Sequence, residues 1–292
     1  MEKKRKRRFG DRKEGRLLRS LDPIAKVSPF IMKHRSGAQN FIRDTIELEK
    51  VEKFIRKKRN DGLKGFGLMH VLIATYLRTV AERPALNRFV SGQRIYARDT
   101  VEVILTIKKE MTLESPETIV KAEFSPWDTA TDVYNKFSKL VEGYRNDPGG
   151  DFDNTAKILS KIPRLVMKFA VWLLNLLDYF GLLPRFLTKV SPFHGSFFIT
   201  SMGSLGIPPI FHHLYDFGNV PIFCSFGAKQ KRNVLKDDGT VKQERYVDIT
   251  LVTDERICDG FYFASALKMM KYILRDPFVL DRPPERVVED ID

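Results

Sequence analysis

Two hydrophobic periodicities alternate along this chain. Residues 41–58 open with the spacing of a strand and pass into an amphipathic helix. Leu68 to Val80 repeats apolar residues at helical spacing and runs to Pro84, where a helix must stop. Segments 93–97 and 99–108 alternate or run β-branched, which predicts strands. After Ser125-Pro126 the spacing predicts a helix over 129–144, followed by a turn at Asp147-Pro148-Gly149-Gly150. From His194 the pattern is β again, through Phe197, Phe198 and Ile199 into Ser201-Met202-Gly203. Further strands are predicted from Val220 to Phe226 and from Tyr246 to Val252, with a hairpin at Lys236–Thr240, where Asp-Gly suits a positive-φ turn. The last helix runs from Phe261 to Leu274, with Phe263, Leu267, Met270 and Leu274 on one face and Asp276-Pro277 closing it.

One segment breaks the regularity. Ile162 to Leu183 is rich in Leu and aromatic residues and is bounded by Pro163 and Pro184. A transmembrane helix needs about 20 mostly apolar residues, and here Lys168, Asn175 and Asp178 fall inside that window. Charges are costly within a span. The favoured reading is a packed helix, ahead of an interfacial membrane helix and well ahead of a span.

Charge adds a second irregularity. The chain carries a net charge of +13, which favours anionic partners such as nucleotide phosphate, nucleic acid or an acidic membrane face. Ten Lys and Arg fall among the first twenty residues, opposed by Glu2, Asp11 and Glu14. Like charges this dense repel, so residues 1–19 read as a basic flexible tail. No nucleic-acid fold or aromatic platform accompanies that tail, so nucleic-acid binding rests on charge alone. The two cysteines, Cys224 and Cys258, indicate no disulfide framework, and nothing resembles a metal-ligand cluster. The basic amino terminus lacks the apolar region of a secretory signal. The expected location is cytoplasmic, with a peripheral position at the inner membrane face as the alternative.

Asp254-Glu255-Arg256-Ile257-Cys258-Asp259-Gly260 sits between the predicted strand and the last helix. It resembles the H-x-x-x-D-G motif of the chloramphenicol acetyltransferase-like superfamily, and in particular the catalytic domain of 2-oxo acid dehydrogenase acyltransferases. Asp259 and Gly260 match, and Glu255 stands where the family has its histidine. Phe198-Ile199-Thr200-Ser201-Met202-Gly203-Ser204-Leu205-Gly206 resembles the family's T-I-S-N-L-G strand end, with Thr200 in the place of its serine. Pro84-Ala85-Leu86-Asn87 resembles the family's P-x-L-N, and Phe223 to Gly227 followed by Ala228 resembles the strand before its closing hairpin. The resemblance covers roughly residues 20 to 278.

The resemblance implies an α/β fold of the α+β two-layer kind, a mixed sheet covered by helices. It divides the chain into a tail (1–19), an acyltransferase-like domain (20–278, with a Leu-rich insertion at 162–187) and a C-terminal tail (279–292). The family's lipoyl and subunit-binding domains have no room ahead of the core. Coenzyme A, as acyl-CoA, is the implied substrate, with no metal, and the implied assembly is a homotrimer with active sites between subunits.

In that reading Glu255 and Thr200 are catalytic. Thr200 donates a hydrogen bond to the oxyanion, and Glu255 is the replacement base. A carboxylate of reference pKa about 4.3 is a weaker base toward a thiol of about 8.5 than imidazole is, so acyl transfer is expected to be altered or weak. Three roles stay open for Glu255: base toward a thiol, base toward water, or an ion pair, for instance with Arg256. Asp259 and Gly260 are structural, Asp259 capping the last helix and accepting an ion pair, for instance from Arg35. His34, His70, His194, His212 and His213 read as ordinary surface or core histidines. His194 and Thr200, six strand residues apart, lie about 20 Å from each other. The alternative to an enzyme is a non-catalytic trimeric scaffold, or a CoA- or lipid-binding protein, held on an anionic membrane surface through residues 1–19 and 165–183.

Overall fold

A computed structural model of the chain, described over residues 6–108, 117–146 and 161–292, resolves the two periodicities into two sheets and a helical layer. In chain order the elements are β1 (Gly15–Leu17), α1 (Pro23–Ile31), β2 (Gln39–Glu47), α2 (Glu49–Asn60), α3 (Leu68–Glu82), β3 (Arg88–Ser91), β4 (Arg94–Arg98), β5 (Val101–Lys108), β6 (Glu117–Phe124) and α4 (Ala130–Asn146). There follow α5 (Arg164–Phe180), α6 (Arg185–Val190), β7 (Phe197–Ser201), β8 (Ile222–Phe226), β9 (Gln230–Leu235), β10 (Val241–Asp254) and α7 (Gly260–Arg275). The turn expected at 147–150 lies outside the described residues.

The larger sheet has the order β2-β10-β8-β7-β5-β6, with β9 paired to the first half of β10. It is mixed: β7 runs parallel to β5 and β8, while β10 runs antiparallel to β2 and β8. Successive strand side chains point to opposite faces, and here both faces are covered. Val103, Leu105, Phe197, Ile199, Ile222, Cys224 and Leu251 join apolar residues of α2, α3, α4 and α7 in the main core. The alternate residues Ile104, Phe198, Phe223 and Val252 pack with Leu214 and Val220 of the β7–β8 connection. This two-sided burial fits the near-continuous apolar runs of the central strands.

Residues from 6 onward at the amino side and the C-terminal residues are built into the fold. The stretch read as a flexible tail contains β1, which pairs with β4 in a three-stranded sheet, β1-β4-β3. The last residues pack along the domain: Val288 N–H donates to Ala81 O at 2.7 Å, and Arg88 grips Asp290 with two bonds of 2.7 Å. The basic residues of β1 and its approach are thus held by the fold rather than splayed by repulsion.

The helix α3 carries a pH liability. Its His70 is buried, stacked on Phe66 and edge-on to Phe137, with Nδ1 accepting the Gly67 N–H at 3.0 Å. Burial pushes its pKa down to about 4. The unfolded chain binds this proton below about 6.5 and the folded chain only near 4, so stability is present at neutral pH and lost as pH falls between them. The loss attributable to His70 is roughly 3 kcal/mol. His70→Gln can keep the bond to Gly67, and it is expected to flatten that part of the stability–pH curve, measured by urea unfolding from pH 7 to 4. An unchanged slope would place the acid sensitivity elsewhere.

Candidate active site

The side chains at the end of β10 are placed by strand alternation carried past the strand itself. Asp254 and Arg256 are buried, and Glu255 between them points out to solvent. The corner is pinned by backbone bonds from Asp254 N–H to Pro221 O and from Glu255 N–H to Ala38 O, both 2.8 Å.

Beneath Glu255 lies a buried charge cluster. The Asp254 carboxylate accepts Arg256 Nε at 2.8 Å and Nη2 at 2.7 Å, and Arg35 Nε at 3.2 Å. Arg35 also donates to the carbonyls of Tyr215 (2.5 Å) and Gly218 (3.0 Å), and Arg256 donates to Met32 O (2.9 Å). Two guanidiniums therefore share one carboxylate, with their remaining donors satisfied by backbone. Burial draws the Arg35 pKa below its ordinary value, and Asp254 is the main opposing charge. The cluster ties the segment around residues 32–38, the β7–β8 connection and the β10 corner into one unit.

The residues expected here separate into distinct roles. Asp259 is exposed and caps α7, accepting Tyr262 N–H at 2.7 Å, while the ion pair with Arg35 goes to Asp254. Arg256 likewise pairs with Asp254 and leaves the Glu255 carboxylate with no partner among the described residues. Gly260 opens α7 without a positive φ, and nothing lies within 4 Å of where its Cβ would sit.

Thr200 lies at the other end of the sheet. It faces Ser225 of β8, which faces Thr250 of β10, so the three hydroxyl residues form a row across the strands. Ser225 accepts Ile210 N–H at 3.2 Å and Thr250 donates to Ile210 O at 2.5 Å, whereas the half-buried Thr200 hydroxyl has no partner among the described residues. Glu255 is two strands across and five residues along from Thr200, a separation of about 19 Å. One protomer does not bring them together.

No protein-family model matches the sequence, and no curated protein matches it. Solved structures do. A probable dihydrolipoamide acetyltransferase from Listeria monocytogenes matches with a TM-score of 0.56 at 16% identity, covering 88% of this chain and 94% of that one. A truncated catalytic core of the 2-oxoacid dehydrogenase multienzyme complex from Thermoplasma acidophilum matches at 0.54 and 11% identity, over 89% and 98%. A chloramphenicol acetyltransferase matches at 0.51 and 11%, over 89% and 99%. The fold is that of the chloramphenicol acetyltransferase-like acyltransferases.

Within that fold, His70, His194, His212 and His213 have structural partners, and His34 is exposed. His194 is buried, 2.8 Å from Ser191 Oγ and 3.6 Å from Asp178. The His212 ring stacks on Phe223 with centroids 4.2 Å apart, and burial lowers its pKa. The Asp254–Arg256 pair was missed from sequence, although an Asp-x-Arg at the buried end of a strand signals charges turned inward together.

Proposed function

We propose that the chain is an acyl-CoA-dependent acyltransferase relative with weak or altered transfer, acting as a trimer in which Thr200 of one subunit faces Glu255 of another. The observation that carries this reading is the pair of unpartnered groups. Among the described residues, neither the Glu255 carboxylate, on a corner braced from beneath, nor the Thr200 hydroxyl in its row has a partner. Each is half of a site, on opposite ends of the sheet.

In the proposed reaction an acceptor thiol gives its proton to Glu255, and the resulting thiolate attacks the thioester carbonyl. The Thr200 hydroxyl donates to the oxygen that gains the charge. Collapse breaks the carbon–sulfur bond to CoA, whose thiolate takes the proton back from Glu255. A carboxylate stabilises the first transfer less than imidazole does, which accounts for a low rate. The net positive charge of the chain suits the phosphates of CoA.

Thr200→Val removes the hydroxyl and keeps the shape. Acetyl transfer from acetyl-CoA to a dithiol is expected to fall about 10²-fold or more with little change in stability. An unchanged rate would overturn the role of Thr200. Absence of transfer in the parent chain as well, under conditions where CoA binds, would favour a non-catalytic binding protein.

A further inference from the structure

The helix α5 leaves far more of its apolar surface exposed than an ordinary surface helix does. None of its residues is buried, and Leu165, Phe169, Trp172 and Phe180 are 80%, 60%, 55% and 61% exposed. A helix this apolar was expected to pack; Met167, Ala170, Leu174 and Leu177 along one side are half-buried, while its other apolar residues are exposed. At 100° per residue, Arg164, Lys168, Asn175 and Asp178 fall on one narrow stripe, Leu165, Phe169, Trp172, Leu173, Leu176 and Phe180 on an adjoining exposed side, and the half-buried Met167, Ala170, Leu174 and Leu177 on the remaining side. Of the polar stripe, Asp178 alone meets the domain, its carboxylate 3.6 Å from His194 and its carbonyl accepting Ser91 Oγ at 3.2 Å, while Arg164, Lys168 and Asn175 are exposed. The side carrying Leu165, Phe169, Trp172, Leu173, Leu176 and Phe180 is left facing out.

The attachment is specific. Tyr179 Oη donates to Gln93 at 2.8 Å on the β3–β4 turn, and Arg12 donates to Tyr179 O at 2.5 Å. The helix ends on Gly181 at φ 70°, against which the Arg12 guanidinium packs so closely that a Cβ would collide with it. Lys13 Nζ donates to Leu183 O at 3.3 Å. The basic stretch at the amino end is thus fastened to the end of the exposed helix, joining the two irregularities of the sequence in one place.

Charge decides what covers this face. Between residues 161 and 190 the cations are Lys161, Arg164, Lys168, Arg185 and Lys189, and the single carboxylate, Asp178, is turned toward His194. A second copy of the same surface would bring like charges together, whereas an anionic lipid surface complements them. No helix among the described residues is long and apolar enough to cross a membrane. A helix about 25 Å long, with Trp and Phe along an exposed side and cations beside them, is suited to lie flat at a lipid interface. We infer that α5, with Arg12 and Lys13 beside it, docks the protein on an anionic bilayer with the exposed apolar side of the helix embedded in the headgroup region. This inference is independent of whether the acyltransferase reading holds.

The full chain is mixed with vesicles of phosphatidylcholine, with or without phosphatidylglycerol, and binding is followed by sedimentation. Trp172 emission is followed in a Trp127→Phe background, which leaves one tryptophan. The expected result is binding that needs phosphatidylglycerol, with Trp172 emission shifted to the blue. Leu173→Glu is expected to weaken binding by about tenfold or more while leaving the thermal unfolding midpoint in place, because the side chain is exposed. Equal binding to both vesicle types, or unchanged binding by Leu173→Glu, would overturn the inference. So would a parent chain whose oligomer, without vesicles, is dissociated by Leu173→Glu, since a second copy would then be the occupant.

Discussion

Asp254→Ala is expected to cost about 3–5 kcal/mol of unfolding free energy, the loss typical of breaking a buried ion cluster from one side. The residue is fully buried and is the shared partner of Arg35 and Arg256. Without it two guanidiniums remain in a dry site, repelling each other, with only carbonyl partners. The segments they join, residues 32–38 and the β7–β8 connection, are then free to separate from the β10 corner. Glu255→Ala, one residue away on the exposed side, is expected to change stability by no more than about 0.5 kcal/mol. Urea midpoints at constant m-value measure both. Similar values for the two variants would mean that Asp254 does not brace the corner.

The second large effect is chemical. Glu255→His restores the side chain that the resembled motif has at this position, and it is expected to raise acetyl transfer from acetyl-CoA to a dithiol by about 10²-fold or more. Imidazole, with a reference pKa of about 6.5, lies closer to both the working pH and the thiol than a carboxylate of about 4.3 does. The new side chain points to solvent from a corner that is otherwise unchanged, so the variant is expected to unfold at the parent's midpoint. A rate that stays flat in a folded, CoA-binding variant would show that the position no longer faces a bound thioester.

Much of the fold was legible because its strands and helices bury continuous or periodic apolar faces. The helices over 49–60, 68–82 and 260–275 and the strands over 197–201, 222–226 and 241–254 all carry that signal. Three strands were not legible, the first being Gly15–Leu17, which lies in the stretch read as a basic tail. Arg88–Ser91 is only four residues long, and Glu117–Phe124 sets Lys121 and Glu123 among its apolar residues at an edge of the sheet. The Leu-rich segment showed that a surface is apolar but not what covers it, so a packed helix was expected where one half-buried on a single side stands.

At the candidate site, the exposed Glu255 and Asp259 and the half-buried Thr200 were singled out through the motif, while the ion pair of Arg35, expected on Asp259, goes to Asp254. Arg35 and Asp254 are 219 residues apart in the chain, and no local periodicity reports a contact at that range. The capping of α7 by Asp259, by contrast, is a local bond over three residues and could be read directly.

The central claim is that the corner and the hydroxyl row flank a site for CoA between subunits. Calorimetric titration of the purified chain with CoA and acetyl-CoA tests it most directly. The account predicts saturable binding of both, with one site per subunit and an affinity that falls as salt is raised, since phosphates meet cations. No heat and no saturation with either ligand, from a folded and assembled protein, would contradict it.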